Sequence, residues 1–502
     1  MMGDLLSHLG LGFSIALTAN NILFCFIGCL IGTLIGVLPG IGPTATIAML
    51  LPITMQFRPE TSLIMLAGIY YGAQYGGSTT SILINVPGES SSAVTAIDGY
   101  QMARMGRAGT ALSAAALGSF FAGTVCTLIV ALFAPPLAQV ALQFSDAEYF
   151  SLMVLGLITA IALAHGSVLK AIAMIVLGLL LGLVGADTFS GAPRFTLGQL
   201  ELASGLNFVA VAIGVFGIAE ILRNLENETS RDPVIAKVSN LWPSKDDLRR
   251  MVAPVLRGTA LGAALGLLPG GGAILASFAA YTVEKKISKT PEMFGKGALE
   301  GVAAPEAANN AGAQTSFIPM LTLGIPSNPV MALMIGAMII QGIIPGPNVI
   351  NSNSGLFWSI ICSMWIGNLM LVLLNLPLIG IWVKLLTIPY YVLFPAIIAF
   401  AAIGVYSVNT NAFDLYAVTF FGGLGYLLVR LGCEPAPLLL GFVLGPMLED
   451  HLRRAMIKSG GDPLVFLHRP ISATLLVMAL LVLAVILLPQ VSKTREAVFQ
   501  ED

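Results

Sequence analysis

The chain has 502 residues, of which 56% are hydrophobic and 10% are charged, and its formal net charge is −2. Soluble globular proteins carry about 25% charged residues, so this composition excludes an ordinary soluble enzyme and a disordered protein. The lack of a basic excess also excludes a nucleic-acid binder. Long uncharged apolar runs, such as 360–383 and 471–488, predict membrane-spanning helices and not the alternating strands of a β-barrel.

We therefore expect an all-α polytopic membrane protein with about 10–12 transmembrane helices plus two re-entrant hairpins. Fifteen of the 24 Lys and Arg residues lie in three short segments, at 223–257, 285–296 and 453–469. Cytoplasmic loops carry such an excess, so the distribution predicts that all three segments face the cytoplasm. The stretch 226–257 is predicted to be a cytoplasmic linker between a first membrane repeat, 1–225, and a second, 258–502.

The start of the second repeat predicts a hairpin near 258–284. These residues lie between two loops predicted to be cytoplasmic, and they are too few for two crossings, which need about 40 residues. Their centre, 268–272, reads Leu-Pro-Gly-Gly-Gly and cannot propagate a helix. A re-entrant hairpin satisfies both observations, and two short tilted spans are the alternative.

The chain also repeats itself. Residues 32–42, with Gly32, Gly36 and a Pro-Gly-Ile-Gly end, match 262–272 at an offset of 230. The segment 84–88 resembles 323–327 at an offset of 239, and 149–150 resembles 390–391 at 241. We expect two homologous halves, with the first hairpin near 36–57. Because only Arg58 lies close to that hairpin, it is predicted to enter from the outside, which makes the halves inverted.

Polar stretches follow each predicted hairpin and are too hydrophilic for lipid. Broken helices expose N–H groups that attract anions, and carbonyl and hydroxyl oxygens that can coordinate Na⁺. The alternative is helix packing through small residues, and Glu306 could equally be structural. The predicted substrate- and cation-binding residues are Gly40, Gly42, Pro43, Thr44, Ser78, Thr79, Thr80, Asn85, Pro87, Gly88, Gly270, Gly271, Gly272, Glu306, Asn309, Asn310, Pro326 and Ser327.

The sequence offers no catalytic set. It contains no Ser-His-Asp order, no His-Glu-x-x-His and no phosphate-loop Lys. We expect no enzyme activity, no catalytic residue, no cofactor and no metal beyond a Na⁺ site at the residues above. A passive anion channel is the alternative to a transporter, because a channel could share the hairpins.

Six segments carry a family resemblance. The segments are 36–43 (GVLPGIGP), 70–89 (YYGAQYGGSTTSILINVPGE), 98–109 (DGYQMARMGRAG), 266–272 (GLLPGGG), 294–310 (FGKGALEGVAAPEAANN) and 321–326 (LTLGIP). They are long, specific and spread over nearly the whole chain. The sequence thereby resembles the large membrane subunit of the tripartite tricarboxylate transporter family.

This resemblance implies a multi-pass subunit of a secondary active importer in the bacterial inner membrane. A periplasmic solute-binding protein would deliver the solute, and a small membrane subunit with about four spans would complete the complex. The implied substrates are organic di- and tricarboxylates, taken up by symport with Na⁺ or H⁺ as the coupling ion. An elevator mechanism is expected by likeness to other binding-protein-dependent carriers.

Overall fold

The computed structural model describes residues 2–38, 42–163, 167–226, 238, 241–268, 272–385 and 390–487. The helices before residue 227 are α1 (Met2–Ala16), α2 (Ala19–Val37), α3 (Pro43–Thr54), α4 (Pro59–Ile84), α5 (Ala93–Met102), α6 (Ala108–Ala141), α7 (Asp146–Leu163), α8 (Val168–Gly182), α9 (Phe208–Ala212) and α10 (Ala219–Glu226). A π-helical segment, Ile213–Ile218, joins α9 to α10. Two short strands, β1 (Gly185–Ala186) and β2 (Pro193–Arg194), pair as an antiparallel hairpin between α8 and α9.

The remaining helices continue the all-α architecture. They are α11 (Lys245–Leu265), α12 (Gly272–Ile287), α13 (Glu300–Thr315), α14 (Phe317–Leu323), α15 (Pro329–Ile340), α16 (Val349–Ser352), α17 (Ser354–Asn375), α18 (Ile379–Leu385), α19 (Tyr390–Asn409), α20 (Ala412–Arg430), α21 (Pro435–Lys458), α22 (Val465–His468) and α23 (Pro470–Leu487). Single 3₁₀ turns lie at Ser90–Ser92, Leu200–Leu202 and Pro291–Met293.

Among the described residues, five helical stretches are long and apolar enough to cross a membrane. They are Ala19–Val37, Ser90–Ala141, Phe208–Glu226, Ser354–Asn375 and Ala412–Arg430. Shorter apolar helices, such as Val168–Gly182 and Pro329–Ile340, accompany them. The predicted all-α, multi-pass membrane architecture is confirmed, and the span number of about 10–12 stays a prediction.

Glycines bring α2 and α4 into backbone contact. A Cβ atom added at Gly28, Gly32 or Gly36 would clash with a carbonyl oxygen of α4. The three carbonyls belong, in the same order, to Met65, Ile69 and Ala73. The two helices therefore run parallel with their backbones touching, an approach that only residues without a side chain allow.

The same contact recurs between α11 and α13. Here Gly258, Gly262 and Gly266 lie against the carbonyls of Ala304, Ala308 and Gly312, again in parallel order. The glycines stand 230 residues after those of α2, and the carbonyls stand 239 residues after those of α4. Both helical stretches then break at a left-handed residue, Asn85 (φ 57°) and Gly324 (φ 69°), which are also 239 residues apart. The sequence repeat thus corresponds to a repeated helix-packing arrangement.

Side-chain contacts fix the helix directions. The thiols of Cys25 and Cys29 approach the carbonyls of Ser363 and Gly367, so α2 and α17 run parallel. In contrast, α6 and α17 run antiparallel: Trp365 Nε1 donates to the Thr124 carbonyl, and Asn368 Nδ2 donates to that of Phe120. The α6 helix runs with α11, since Arg107 pairs with Asp247 and Gly118 lies against Val255. The helices α2, α4 and α17 therefore point one way, and α6, α11 and α13 point the other.

The helix α6 separates two ends of the molecule. It has 34 residues, which corresponds to about 51 Å. Its first end adjoins the Arg107–Asp247 ion pair, at 2.7 Å; we call this the linker end. Its last residue leads to Asp146 and Glu148, which pair with Lys458 and Arg469; we call this the distal end.

This geometry corrects the predicted location of one basic segment. The segments 245–257 and 285–296 share the linker end, because Arg257 pairs with Glu284, and Arg250 pairs with Glu300 just beyond Lys296. The segment 453–469 lies instead at the distal end, so the prediction that all three face the same side is wrong. The physical reason is that its basic side chains pair with acids of neighbouring elements, and their clustering therefore reflects tertiary contacts and not orientation.

The distal pairs also hold the β1–β2 hairpin. Arg453 contacts Asp187 at 2.9 Å, and Arg194 contacts Glu449 at 2.8 Å. The backbone N–H groups of Ser190 and Phe189, together with Arg453, lower the pKa of Asp187 to about 2. Asp187 therefore stays ionised at any physiological pH, and the hairpin is fastened to α21 by charge.

The observed helices overlap the predicted linker and both predicted hairpins. The helix α11 begins at Lys245 with a capping box in which Ser244 and Asp247 exchange hydrogen bonds, so helix already covers the end of the stretch 226–257. The helices α11 and α12 lie antiparallel within the proposed hairpin near 258–284, as α2 and α3 do near 36–57. The tips at 39–41 and 269–271 lie outside the described residues.

The glycine contacts predict a strong effect of one methyl group. We expect Gly32→Ala and Gly262→Ala each to destabilise the protein by about 1–3 kcal/mol, because the new Cβ forces the helix pair apart. The apparent melting temperature in detergent, followed by size-exclusion chromatography with fluorescence detection, measures this. Gly423→Ala is the matched control, since a Cβ at Gly423 in α20 meets no atom within 4 Å. Equal melting temperatures for all three variants would contradict the prediction.

Candidate functional site

A buried carboxylate lies where the two repeats meet. Glu306 in α13 is fully buried, and its oxygens accept hydrogen bonds from two residues of the first repeat. Ser78 of α4 donates at 2.6 Å, and Thr95 of α5 donates to the other oxygen. Within the described chain, Glu306 has no ion pair with Lys, Arg or His. Among the described residues, the side-chain contacts of the Glu306 carboxyl group are with hydroxyl groups.

A second acid lies along the same α4–α13 contact. Glu89 follows the break after α4 and accepts a hydrogen bond from Ser91, and Ser91 lies 3.0 Å from the amide oxygen of Gln74. Asn309 Nδ2 of α13 lies 3.5 Å from the Glu89 carboxylate. The Asn309 Oδ1 atom is buried and has no hydrogen-bond partner in the described structure. Such an unpartnered buried oxygen is costly unless a ligand satisfies it.

A third acid closes the contact near the start of α13. Asp98 of α5 is fully buried, and one of its oxygens accepts the N–H groups of Gly295, Gly297 and Ala298 at 2.8–2.9 Å. The other oxygen accepts the Tyr281 hydroxyl at 2.9 Å. Four donors satisfy the charge and tie α5 to the segment between α12 and α13. We call Glu89, Glu306 and Asp98, with their hydrogen-bond partners, the acidic seam.

Asn310 fixes α13 to α6. Its Nδ2 atom donates to Ser119 Oγ at 2.7 Å and lies 3.1 Å from the carbonyl of Glu306. Both Asn310 and Ser119 are buried. Asn310 therefore sets the position of the helix turn that carries Glu306.

Of the predicted site residues, the structure brings Ser78, Glu306, Asn309 and Asn310 together in the seam. Thr79 lies beside Ser78 on α4 and is buried. Thr80 serves the backbone instead, since its hydroxyl donates to the Val37 carbonyl at the end of α2, at 2.9 Å.

The predicted residues of the two helix breaks lie elsewhere. Gly88 is buried against the Gly36 carbonyl, whereas Asn85 and Pro87 are exposed. Pro326 and Ser327 are buried at the second break, where the Ser327 hydroxyl donates to the Ser316 carbonyl at 3.3 Å. These residues have no side-chain hydrogen bond to Glu306 among those described.

The predicted hairpin residues divide in the same way. Gly40, Gly270 and Gly271 lie outside the described residues. Gly42 donates its N–H to Glu220 of α10 at 3.2 Å and precedes Pro43 and Thr44, which begin α3. Gly272 begins α12 and lies close to the Gly266 backbone. The described end of the first tip therefore contacts an acid that is not one of the predicted site residues.

Sequence reasoning missed four residues of these contacts. Thr95 and Ser119 gave no local signal, because their partners are about 200 residues away in the chain. Asp98 begins the segment 98–109 that carries the family resemblance, but its neighbours in sequence do not show its partners at 295–298. Glu220 did give a local signal. It is an acid in the apolar stretch Phe208–Glu226, where burying an ionisable residue costs free energy and such residues are usually functional.

A cavity of about 380 Å³ lies apart from the seam, between α9, α20 and the loop before α9. Asn207 and Asn409 donate to the buried carboxylate of Asp414 there, at 2.8 and 2.9 Å. Glu201 also lines it, and no Lys or Arg does so among the described residues. Its charge disfavours an anionic ligand.

Together these features describe a multi-pass helical membrane protein with polar broken helices and unpaired acids at the contact of two repeated units. This arrangement is typical of secondary transporters.

The comparison with protein families specifies the class. Residues 22–440 match the model described as "Tripartite tricarboxylate transporter TctA family". The chain belongs to this family, whose members are the large membrane subunits of tripartite tricarboxylate transporters. The predicted resemblance is thereby confirmed.

Two curated relatives come from Agrobacterium vitis. The chain is 68% identical over 501 residues, all of both chains, to an "uncharacterized 52.8 kDa protein in TAR-I ttuC' 3'region". It is 66% identical over 241 residues, 48% of this chain and all of the relative, to an "uncharacterized protein in TAR-II ttuC' 3'region". No solved structure matches the chain.

The four donors on Asp98 predict a large effect of its removal. We expect Asp98→Ala to destabilise the protein by about 3 kcal/mol or more, because three buried N–H groups and a phenol lose their acceptor. Thermal unfolding of the purified chain measures the loss. Asp450→Ala is the control: Asp450 is partly exposed and pairs with Arg454 one turn along its own helix, so it should change stability by less than about 1 kcal/mol. An unfolding temperature as high as that of the control would contradict the prediction.

Proposed function

We propose that the chain is the permease subunit of a binding-protein-dependent importer of organic di- and tricarboxylates, driven by a Na⁺ or H⁺ gradient across the bacterial inner membrane. Family membership over residues 22–440 is the observation that carries this proposal. The partners are a periplasmic solute-binding protein and a small membrane subunit with four spans, which complete the three-part system that the family name describes.

The repeated packing supports an inverted internal repeat. The helices α2 and α4 run in the direction of α17, and α11 and α13 run in the direction of α6. Because α6 and α17 are antiparallel, the two helix pairs point in opposite directions. Inverted repeats place a transport site at their contact, near the middle of the bilayer. The acidic seam occupies this contact, which makes it the candidate coupling centre.

Substrate binding is proposed between the two hairpins, beside the seam. The seam contains no basic side chain among the described residues, so a carboxylate solute has to be met by N–H groups at the helix breaks and by a bound cation. The cation would be held by oxygens of residues such as Ser78 and Thr79. Solute and ion then stabilise each other's binding, because each neutralises the charge of the other.

For the transport step we propose an elevator motion. The moving unit would be the two glycine-packed pairs α2–α4 and α11–α13 with their hairpins, since the seam already binds them together. The remaining long apolar helices would form the scaffold. Rigid packing inside the moving unit is what such a motion demands.

Uptake by proteoliposomes tests the function. The liposomes would contain this chain and its small subunit, with labelled di- and tricarboxylates and imposed Na⁺ or H⁺ gradients, each with and without the binding protein. Accumulation that requires the binding protein and collapses with one gradient is the expected result. Rapid equilibration without accumulation, indifferent to the binding protein, would identify a passive anion channel and overturn the proposal.

Asn310→Ala tests the site. We expect uptake to fall at least about tenfold, because the turn that carries Glu306 loses its hydrogen bond to Ser119. Membrane insertion, measured by the amount of purified monodisperse protein, should be unchanged. Asn351→Ala is the control, since Asn351 is exposed in α16. Transport by the Asn310 variant at the rate of this control would exclude Asn310 from the site.

A further inference from the structure

A cavity of atomic size lies next to Glu306. It has a volume of about 10 Å³ and is lined by side chains of α4, α6 and α17, together with Leu376. Its polar lining consists of Tyr75, Ser78, Thr79, Ser119 and Asn375. The volume is close to the minimum that holds one water molecule, so it is large enough for one small ion and too small for a carboxylate solute.

The orientation of Asn375 leaves an oxygen without a partner. Its Nδ2 atom donates to the Leu371 carbonyl at 2.9 Å and to Thr33 Oγ1 at 3.3 Å. With the amide nitrogen so engaged, Oδ1 is buried and makes no hydrogen bond in the described structure. The residue is only 5% exposed. This buried amide oxygen, on a residue that lines the cavity, is therefore short of a positive partner.

Three hydroxyl groups of the lining have lone pairs available to a cation in the cavity. Ser78 Oγ lies 2.6 Å from the Glu306 carboxylate and 2.9 Å from the Gln74 carbonyl. Because a hydroxyl group has one proton and two lone pairs, at least one lone pair remains for the cavity. Ser119 accepts the Asn310 amide and keeps a further lone pair. Among the described residues, Thr79 makes only a long contact, 3.4 Å, to the Tyr75 carbonyl. The lining thus offers several oxygens from neutral groups, the ligand type that hard cations prefer.

The charge balance points the same way. Glu306 is fully buried and unpaired within the described chain, and a buried charge is stable only when a partner compensates it. The cavity is one hydroxyl group away from this carboxylate. A single monovalent cation in the cavity would neutralise it without entering its hydrogen-bond shell.

We infer that Ser78, Thr79, Ser119 and Asn375 form a site for one dehydrated Na⁺ ion, with Glu306 as its counter-charge. The inference rests on the proposed function for its role, since this ion would be the coupling cation. The ion would have ligands on α4, α6 and α17. Because Ser78 and Ser119 also contact residues of α13, the ion stabilises the contact of the two repeats.

Thermal unfolding of the purified full-length chain tests the site directly. Sodium chloride is varied while potassium chloride keeps the ionic strength constant. Ligand that binds the folded state raises its stability in a saturable manner, so we expect a saturable rise of the melting temperature with Na⁺. A wild-type protein that responds equally to Na⁺ and K⁺, or to neither, would overturn the site.

Isosteric variants locate the ion. Thr79→Val and Asn375→Leu each remove one oxygen, and we expect the half-saturating Na⁺ concentration to rise about tenfold or more. Thr127→Val is the matched control, since Thr127 is equally buried but donates to the Gly123 carbonyl of its own helix, away from the cavity. Equal half-saturation in the control and both variants would overturn the assignment. Ser119→Ala is the substitute if either variant fails to fold.

Uptake by the same preparations separates this inference from the proposed function. Na⁺-specific stabilisation without carboxylate uptake would retain the ion site and overturn the importer. Gradient-driven uptake that a pH gradient alone sustains, without stabilisation by Na⁺, would retain the importer and overturn the ion site.

Discussion

Backbone contact between helices, which glycine permits, determines the rest of this structure. Where α2 meets α4 and α11 meets α13, a carbonyl lies in the place of a Cβ atom. In a membrane, helices gain little from burying apolar surface, and close packing of small residues supplies the attraction instead. These contacts hold two broken helical stretches rigidly enough for Ser78, Asn309 and Glu306 to meet. The acidic seam is thus a product of the glycine pattern.

The seam distributes its three acids between two kinds of environment. Asp98 is fully satisfied by four donors and joins the repeats permanently. Glu306 accepts hydrogen bonds from two hydroxyl groups, and one of these, Ser78, lines a small cavity. The first carboxylate is surrounded by donors, whereas the second has fewer donors and a small cavity beside one of them. In the function that we propose, the first environment would keep the two repeats together, and the second would respond to the coupling ion.

Much of this could be predicted from residues that are neighbours in sequence. The glycine spacing at 28–36 and 258–266, and the breaks at Asn85 and Gly324, are local patterns with a period that the structure reproduces. The contacts of Thr95 and Ser119 could not be predicted, since they depend on how helices two hundred residues apart are placed. The side on which the basic segment 453–469 lies was predicted wrongly for the same reason. Its arginines and lysine pair with acids at 146–187, and a count of charges along the sequence does not reveal these partners.

The length of α6 has a consequence for the shape of the protein in its membrane. About 51 Å of helix exceeds a hydrocarbon core of about 30 Å. The excess has to be taken up by tilt or by projection into the headgroups and water. Pro135 and Pro136 lie within the helix near its distal end, where the loss of backbone hydrogen bonds to proline favours a bend. Where the excess projects at the distal end, the ion pairs of Asp146 and Glu148 that follow it come to lie among the headgroups or in water, where charged side chains cost least.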